Sequence, residues 1–131
     1  MQHHVLILDD EEDIRTVIRR QLSGAQFEVL EAEDAEQAMQ LLSENALTID
    51  VIITDVRMPG ISGVEAVDYF RLNHPGTPII VLTGFPDMDL AVDFMKEGVV
   101  EYLVKPVDKE KLVEAVEKAA HRRKIFETSS I

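Results

Sequence analysis

The sequence predicts a single α/β domain in which a parallel five-stranded sheet is covered by helices on both faces. Two observations carry this prediction. Short apolar runs alternate with amphipathic segments along the chain, and the runs are rich in Val, Ile and Leu, as strands buried on both faces are. Strand–helix repeats of this kind form parallel sheets with right-handed crossovers. The chain has 131 residues, 46% of them hydrophobic, which suits one domain with a sizeable core.

Five strands are predicted, each followed by a helix with apolar residues at helical spacing. The strand candidates are residues 4–9, 27–31, 50–55, 78–83 and 100–104. The apolar helix stripes are Ile14/Val17/Ile18/Leu22, Ala35/Ala38/Met39/Leu42, Ala66/Val67/Phe70, Met88/Ala91/Val92/Met95 and Leu112/Ala115/Val116/Ala119. The predicted N-caps are Asp34, Ser62, Asp87 and Asp108. Residues 1–121 form the predicted domain, and residues 122–131, where the apolar pattern stops, are expected to be a C-terminal tail or the start of a linker.

The composition narrows the classes of partner. The formal net charge of −12 disfavours direct binding of nucleic acid, whose phosphate backbone would be repelled, and of an anionic membrane surface. No apolar run approaches the roughly 20 residues that span a bilayer, and no signal-peptide pattern follows Met1. The absence of cysteine excludes disulfides and thiolate metal sites. We expect a cytoplasmic protein.

Polar side chains follow four of the predicted strands at the point where each strand ends. Asp9 and Asp10 end the first strand, Asp55 the third, Thr83 the fourth and Lys105 the fifth. In a parallel sheet of order 2-1-3-4-5, the first and third strands flank the crevice in which ligands bind. Three close carboxylates repel one another. A hard cation with oxygen ligands, such as Mg²⁺, relieves that repulsion.

Asp9, Asp10 and Lys105 also have ordinary explanations. Asp9–Asp13 could be a solvated acidic helix start, favoured by the helix dipole, and a lysine after a strand is usually solvated. The combination of Asp55 before a Pro-Gly loop with Thr83 and Lys105 at equivalent strand ends favours a site. Pro106 adds to this, because X-Pro bonds are the ones that adopt the cis form at low cost. A cis bond would turn Lys105 toward the pocket.

Four segments of the chain together form a specific set of motifs. They are LILDDEEDIR at 6–15, DVIITDVRMPGISG at 50–63, PIIVLTG at 78–84 and EYLVKP at 101–106. In these motifs the chain resembles the receiver domain of two-component response regulators, over about residues 4–121. The resemblance implies a flavodoxin-like, doubly wound sheet of order 2-1-3-4-5 with five helices. The sequence at 83–98 also resembles that of the subgroup of receiver domains that are attached to transcriptional output domains.

The resemblance implies a role for each residue at the predicted sheet edge. Asp55 is expected to be the phosphoacceptor, Asp10 a direct Mg²⁺ ligand, and Asp9 an assisting ligand through water. The backbone carbonyl of Arg57 would be a further ligand. Thr83 is expected to supply the hydroxyl that closes on the phosphoryl group, and Lys105 is expected to be the charge partner of that group. Tyr102 is expected to be the aromatic switch.

The implied function is a signalling module rather than an enzyme with an external substrate. It would take a phosphoryl group from a sensor histidine kinase or phosphotransfer protein and switch conformation to control a partner or output domain. It would catalyse only its own phosphorylation and dephosphorylation. Two other classes stay open. One is a metal-dependent phosphohydrolase with Asp55 as nucleophile, although Arg57 stands where such enzymes commonly carry a second aspartate. The other is a pseudo-receiver that binds partners without phosphorylation.

Two further predictions concern the surroundings of the site. Leu90 and Phe94 lie off the predicted core stripe of the fourth helix, so they are expected to face outward. There they would help the fourth helix, fifth strand and fifth helix form a homodimer face; packing under a neighbouring loop is the alternative. Arg57 and Phe85 are expected to flank the approach of water to Asp55 and so to prolong the life of the phosphoryl group. The alternative is that both side chains point to solvent and have no effect.

Overall fold

The computed structural model describes residues 3–24, 27–45, 47–57 and 63–129, and side chains up to residue 123. Its strands are β1 (His3–Leu8), β2 (Phe27–Ala32), β3 (Ile49–Thr54), β4 (Ile79–Thr83) and β5 (Glu101–Val104). Its helices are α1 (Glu12–Ser23), α2 (Ala35–Glu44), α3 (Gly63–Asn73), α4 (Met88–Lys96) and α5 (Lys109–Ser129).

All five strands are parallel, and they lie in the order β2-β1-β3-β4-β5, which confirms the predicted topology. Side chains alternate between the two faces of the sheet, as in β1, where Val5 and Ile7 pack on one face and Leu6 and Leu8 on the other. One core cluster lies under α1 and α5, and the second lies under α2, α3 and α4. The doubly wound arrangement leaves the carboxyl ends of the strands free to build a site.

Three of the predicted N-caps are present. The carboxylates of Asp34, Asp87 and Asp108 each accept a hydrogen bond from the backbone N–H three residues further on. The fourth, Ser62, lies outside the described residues. Within the described part of the chain, no helix is long and apolar enough to cross a membrane.

Helix α4 presents the opposite face from the one predicted. Phe94 is 1% exposed and lies in the core, with Leu90 packed against it, so the prediction that these two residues face outward was wrong. Met88, Val92 and Met95, predicted to be core residues, are 79%, 44% and 47% exposed. Both stripes are apolar and helically spaced, so periodicity could not choose between them. The structure buries the stripe that contains the large aromatic ring.

Helix α5 continues well past the point where the apolar pattern of the sequence stops, and it ends at Ser129. The buried side chain of Arg123 accounts for part of this extension. It donates to Thr77 Oγ1 at 3.0 Å and to the carbonyl of Leu47 at 3.3 Å, and it pairs with Asp50 at 3.5 Å. These bonds tie the helix to β3 and to the segments that precede β3 and β4. The domain boundary at residue 121 stays a prediction.

Candidate functional site

The backbone of the sheet fixes the positions of three predicted site residues. The N–H groups of Asp9, Asp55 and Lys105 each donate to a carbonyl of the neighbouring strand or its end, at 3.1, 3.0 and 2.8 Å. The hydrogen-bond ladder therefore continues past the strand ends. Because these residues follow parallel strands, their side chains emerge at one edge of the sheet.

Three carboxylates meet at this edge. Each of Asp9, Asp10 and Asp55 contributes one carboxylate oxygen, and these three oxygens lie within 4.8 Å of one another. Asp9 and Asp55 are buried, with 2% and 4% of their surface exposed, while Asp10 is open to solvent. The donor set consists of hard oxygen atoms with one exposed side, which fits Mg²⁺, an ion that takes carboxylate ligands and keeps several waters.

Lys105 holds two of these carboxylates together. Its Nζ donates to Asp9 Oδ2 at 2.6 Å and to Asp55 Oδ2 at 2.8 Å. Burial alone would lower the pKa of Lys105, but the hydrogen bonds and charges of Asp55 and Asp9 outweigh it, so the pKa is raised. The ammonium therefore stays charged. The Lys105–Pro106 peptide bond is cis.

The two oxygens of Asp55 have different surroundings. Oδ1 accepts hydrogen bonds from the backbone N–H groups of Val56 and Arg57, at 2.6 and 3.2 Å. Oδ2 accepts a hydrogen bond from Lys105 Nζ. The backbone thus holds the carboxylate in one orientation, with Oδ2 directed at Lys105.

Gly63 supports the turn that follows Asp55. A Cβ atom at this position would lie 2.1 Å from the Cα of Val56, closer than any real contact, and the Gly63 N–H donates to the Val56 carbonyl at 3.0 Å. Any side chain at position 63 would displace the backbone that holds Asp55 Oδ1. The sequence reasoning assigned Gly63 no role. The available signal was the glycine itself, the residue that allows close approach of two backbone segments because it has no Cβ.

The loop between β4 and α4 is bonded to both predicted switch residues. The buried Thr83 accepts, at Oγ1, a hydrogen bond of 3.1 Å from the Phe85 N–H. The hydroxyl oxygen of Tyr102 accepts one of 3.2 Å from the Asp87 N–H. The two ends of this loop are therefore held by the two side chains expected to respond to a phosphoryl group.

The side chains of Arg57 and Phe85 lie against each other. The Arg57 guanidinium carbon is 4.3 Å from the centroid of the Phe85 ring, a cation–π contact. Phe85 is 55% exposed, so the ring lies at the protein surface rather than in the core. The expected flanking of Asp55 by this pair stays a prediction. No described hydrogen bond tests the expected role of the Arg57 carbonyl as a metal ligand, which stays a prediction.

This fold and this group of residues define a class of protein. Residues 5–117 match the family model described as "Response regulator receiver domain". The chain therefore belongs to the receiver domains of two-component response regulators. Receiver domains of this family interact with histidine kinases.

Three similar proteins illustrate the relation. The chain is 35% identical over 115 residues to the DNA-binding transcriptional regulator NtrC of Escherichia coli, covering 88% of this chain and 24% of NtrC. It is 35% identical over 118 residues to the response regulator protein PilR of Pseudomonas aeruginosa, covering 90% and 26%. The chain spans about a quarter of the length of these relatives. A receiver domain structure from Clostridium thermocellum superimposes with a TM-score of 0.89 at 37% identity, over 95% of this chain and 98% of the other.

Proposed function

We propose that this domain accepts a phosphoryl group on Asp55 from a phosphohistidine of a sensor kinase or phosphotransfer protein. The observation that carries the proposal is the oriented Asp55 carboxylate, with Oδ1 held by two backbone N–H groups and Oδ2 facing Lys105. Asp9 and Asp10 complete a group that favours binding of a cation and of a phosphoryl group together.

Transfer begins with in-line attack of Asp55 Oδ2 on the phosphorus atom. The phosphorus–nitrogen bond breaks, and its electron pair stays on the donor imidazole, which takes up a proton. The fixed orientation of the carboxylate reduces the ordering that attack requires. The charged ammonium of Lys105, already 2.8 Å from Oδ2, stays within reach of the phosphoryl oxygens and offsets part of their charge.

Asp10 and Asp55, with Asp9 assisting and the carbonyl of Arg57, are the groups that would hold Mg²⁺. When bound, Mg²⁺ supplies positive charge beside the phosphoryl oxygens. The charge balance of the site supports this assignment: three carboxylates lie close together, and Lys105 bonds only to Asp9 and Asp55 among them.

The conformational response would start at Thr83. The phosphoryl group brings new acceptor oxygens to the site, and a Thr83 hydroxyl that moves to meet them gives up its bond with the Phe85 N–H. The β4–α4 loop is then held less firmly at this end, while Tyr102 bonds the other end through Asp87. A segment held by two bonds of this kind suits a two-state switch.

The proposed partners follow from charge and exposed surface. The donor is a histidine kinase or phosphotransfer protein in the cytoplasm, and the net charge of −12 disfavours contact of this domain with nucleic acid or membranes. Control passes to a partner or output domain, with a homodimer through the α4–β5–α5 face as one route. Among the described side chains of α4 and β5, the exposed apolar ones include Met88, Val92, Met95 and Val104.

The direct test is to add a small phosphodonor, phosphoramidate, with Mg²⁺ and to weigh the intact protein over time. A stable adduct of one phosphate supports the proposal. Steady consumption of the donor without an adduct would indicate a phosphohydrolase, and an unchanged mass with unconsumed donor would indicate a pseudo-receiver. The matched control is the same mixture with EDTA, in which the adduct should not form.

A further inference from the structure

The backbone of the turn between β1 and α1 is held by an arginine. Arg15 Nη1 donates to the carbonyl oxygen of Asp9 at 2.7 Å. That oxygen belongs to the peptide that joins Asp9 to Asp10, so the bond fixes the plane of this peptide. The N–H of Asp9 donates in turn to the carbonyl of Ala32 at 3.1 Å. The chain is therefore anchored on both sides of Asp9, just before Asp10.

Arg15 is itself braced. Its Nε bonds to Glu31 Oε1 at 3.1 Å, and the other oxygen of Glu31 pairs with Arg19. The Arg15 side chain is 13% exposed, against 51% for Arg19. Glu31 lies in β2 next to Ala32, so one strand supplies both anchors of the turn. A side chain braced in this way loses less freedom when it makes its next bond.

Asp10 depends on this anchoring more than Asp9 does. The carboxylate of Asp9 is engaged, since Oδ1 accepts from the Glu11 N–H at 2.9 Å and Oδ2 accepts from Lys105. Among the residues that the structure describes, the carboxylate of Asp10 has no hydrogen-bond or ion-pair partner. Repulsion from Asp9 and Asp55 favours turning it away from the cluster. Its backbone position is what keeps it within reach.

We infer that Arg15 is a positioning residue for Mg²⁺: through the Asp9 carbonyl it keeps Asp10 in place to bind the ion, and Glu31 keeps Arg15 in place. The inference rests on the proposed function, because it requires Mg²⁺ to bind at these carboxylates. Charge alone predicts the opposite effect. Arg15 is a cation near a cation site, so by Coulomb's law its removal would tighten Mg²⁺ binding. Positioning predicts that its removal weakens binding.

Titration calorimetry with Mg²⁺ on wild type, Arg15→Met and Arg19→Met separates the two effects. Arg19→Met is the matched control, because Arg19 pairs with the same Glu31 carboxylate but is more exposed and does not bond the Asp9 carbonyl. Loss of a group that orients a metal ligand typically weakens binding about tenfold or more, which is the result we expect for Arg15→Met. Arg19→Met should show no comparable loss. Unchanged or tighter binding by Arg15→Met, or an equal loss in Arg19→Met, would overturn the inference.

A second variant keeps the test decisive if Arg15→Met does not fold, which thermal unfolding in EDTA will reveal. Arg15→Gln is too short to bond both Glu31 and the Asp9 carbonyl, so it should also bind Mg²⁺ more weakly, and unchanged affinity would count against the inference. Measurements on the wild type distinguish failure of the positioning role of Arg15 from failure of the proposed function. If it binds Mg²⁺ and is phosphorylated while the Arg15 variants bind equally well, only the positioning role fails. If it does neither, the proposed function fails as well.

Discussion

Replacing Asp10 by asparagine should make the metal-free protein more stable, although Asp10 is a proposed metal ligand. Its carboxylate lies within 4.8 Å of those of Asp9 and Asp55. Two unit charges at 4.8 Å interact by about 3.5 kcal/mol at an effective dielectric constant of 20 and by about 0.9 kcal/mol in water. The lower value applies, because Asp10 is exposed. Two such repulsions, offset by the attraction of Lys105, leave about 1 kcal/mol of destabilisation that Asp10→Asn would remove.

The expected changes in melting temperature follow from the size of the chain. For a domain of this length, the typical entropy of unfolding converts 1 kcal/mol into about 4 °C, so the metal-free variant should melt about 4 °C higher than wild type. Mg²⁺ at one hundred times its dissociation constant stabilises the wild type by about 2.7 kcal/mol. That corresponds to a rise of about 10 °C. Asp10→Asn should lose most of this rise, because it has lost a ligand.

Scanning calorimetry in EDTA and in Mg²⁺ measures both effects. Glu12→Gln is the matched control, since it makes the same charge change in the first turn of α1. A carboxylate there is favoured by the helix dipole, so its removal should not raise the metal-free melting temperature and should leave the Mg²⁺ response intact. An Asp10→Asn protein that is less stable than wild type without metal, yet responds fully to Mg²⁺, would refute the reasoning.

Three further predictions concern the Arg57–Phe85 pair, the Lys105 ammonium and the exposed apolar surface of α4. The double variant Arg57→Asn with Phe85→Glu should lose phosphate faster than wild type after the donor is removed. The stacked pair, which is expected to obstruct water, would be gone, and the new side chains can orient the water. Equal or slower loss would contradict this. The raised pKa of Lys105 adds stability at pH values below its ordinary pKa of 10.5, and this stability is lost as the pH rises through the pKa of the folded state. Lys105→Met should therefore melt below wild type, and the difference in melting temperature should shrink only above pH 10.5. A difference that does not shrink there would contradict this. Val92→Asp should abolish any phosphorylation-dependent dimer in sedimentation. The control Leu72→Asp, at a residue 79% exposed on α3, should not. Monomers in every wild-type sample would remove the dimer hypothesis.

The strands and the edge where the site lies were predictable from local pattern, whereas the order of the strands was implied by the resemblance to receiver domains. Each buried strand reads as an apolar run, and the polar residues that end the runs report which end of the sheet carries chemistry. Parallel topology then brings Asp9, Asp10, Asp55 and Lys105 together, as the structure shows. The positions of the strands and their parallel connection need only the period of the pattern and one rule of connection, but the strand order needed the resemblance as well.

Other features depend on contacts that no local pattern reveals. Helix α4 carries two apolar stripes, and only its packing against the sheet decided that Phe94 lies inside. Arg123 and Arg15 look like ordinary surface charges in the sequence, yet one bonds Thr77 across the fold and the other bonds Glu31 on β2. A buried arginine is stabilised by partners far away along the chain, and the sequence does not show which they are.

The central claim is that Asp55 is the residue that carries the phosphate. Borohydride reduction of the phosphorylated protein converts an aspartyl phosphate to homoserine, and peptide mass mapping then locates the altered residue. Asp55 should be the one altered position, only when Mg²⁺ is present, and the small phosphodonor should not label Asp55→Asn. Undiminished labelling of Asp55→Asn, or an altered residue elsewhere in the wild type, would contradict it.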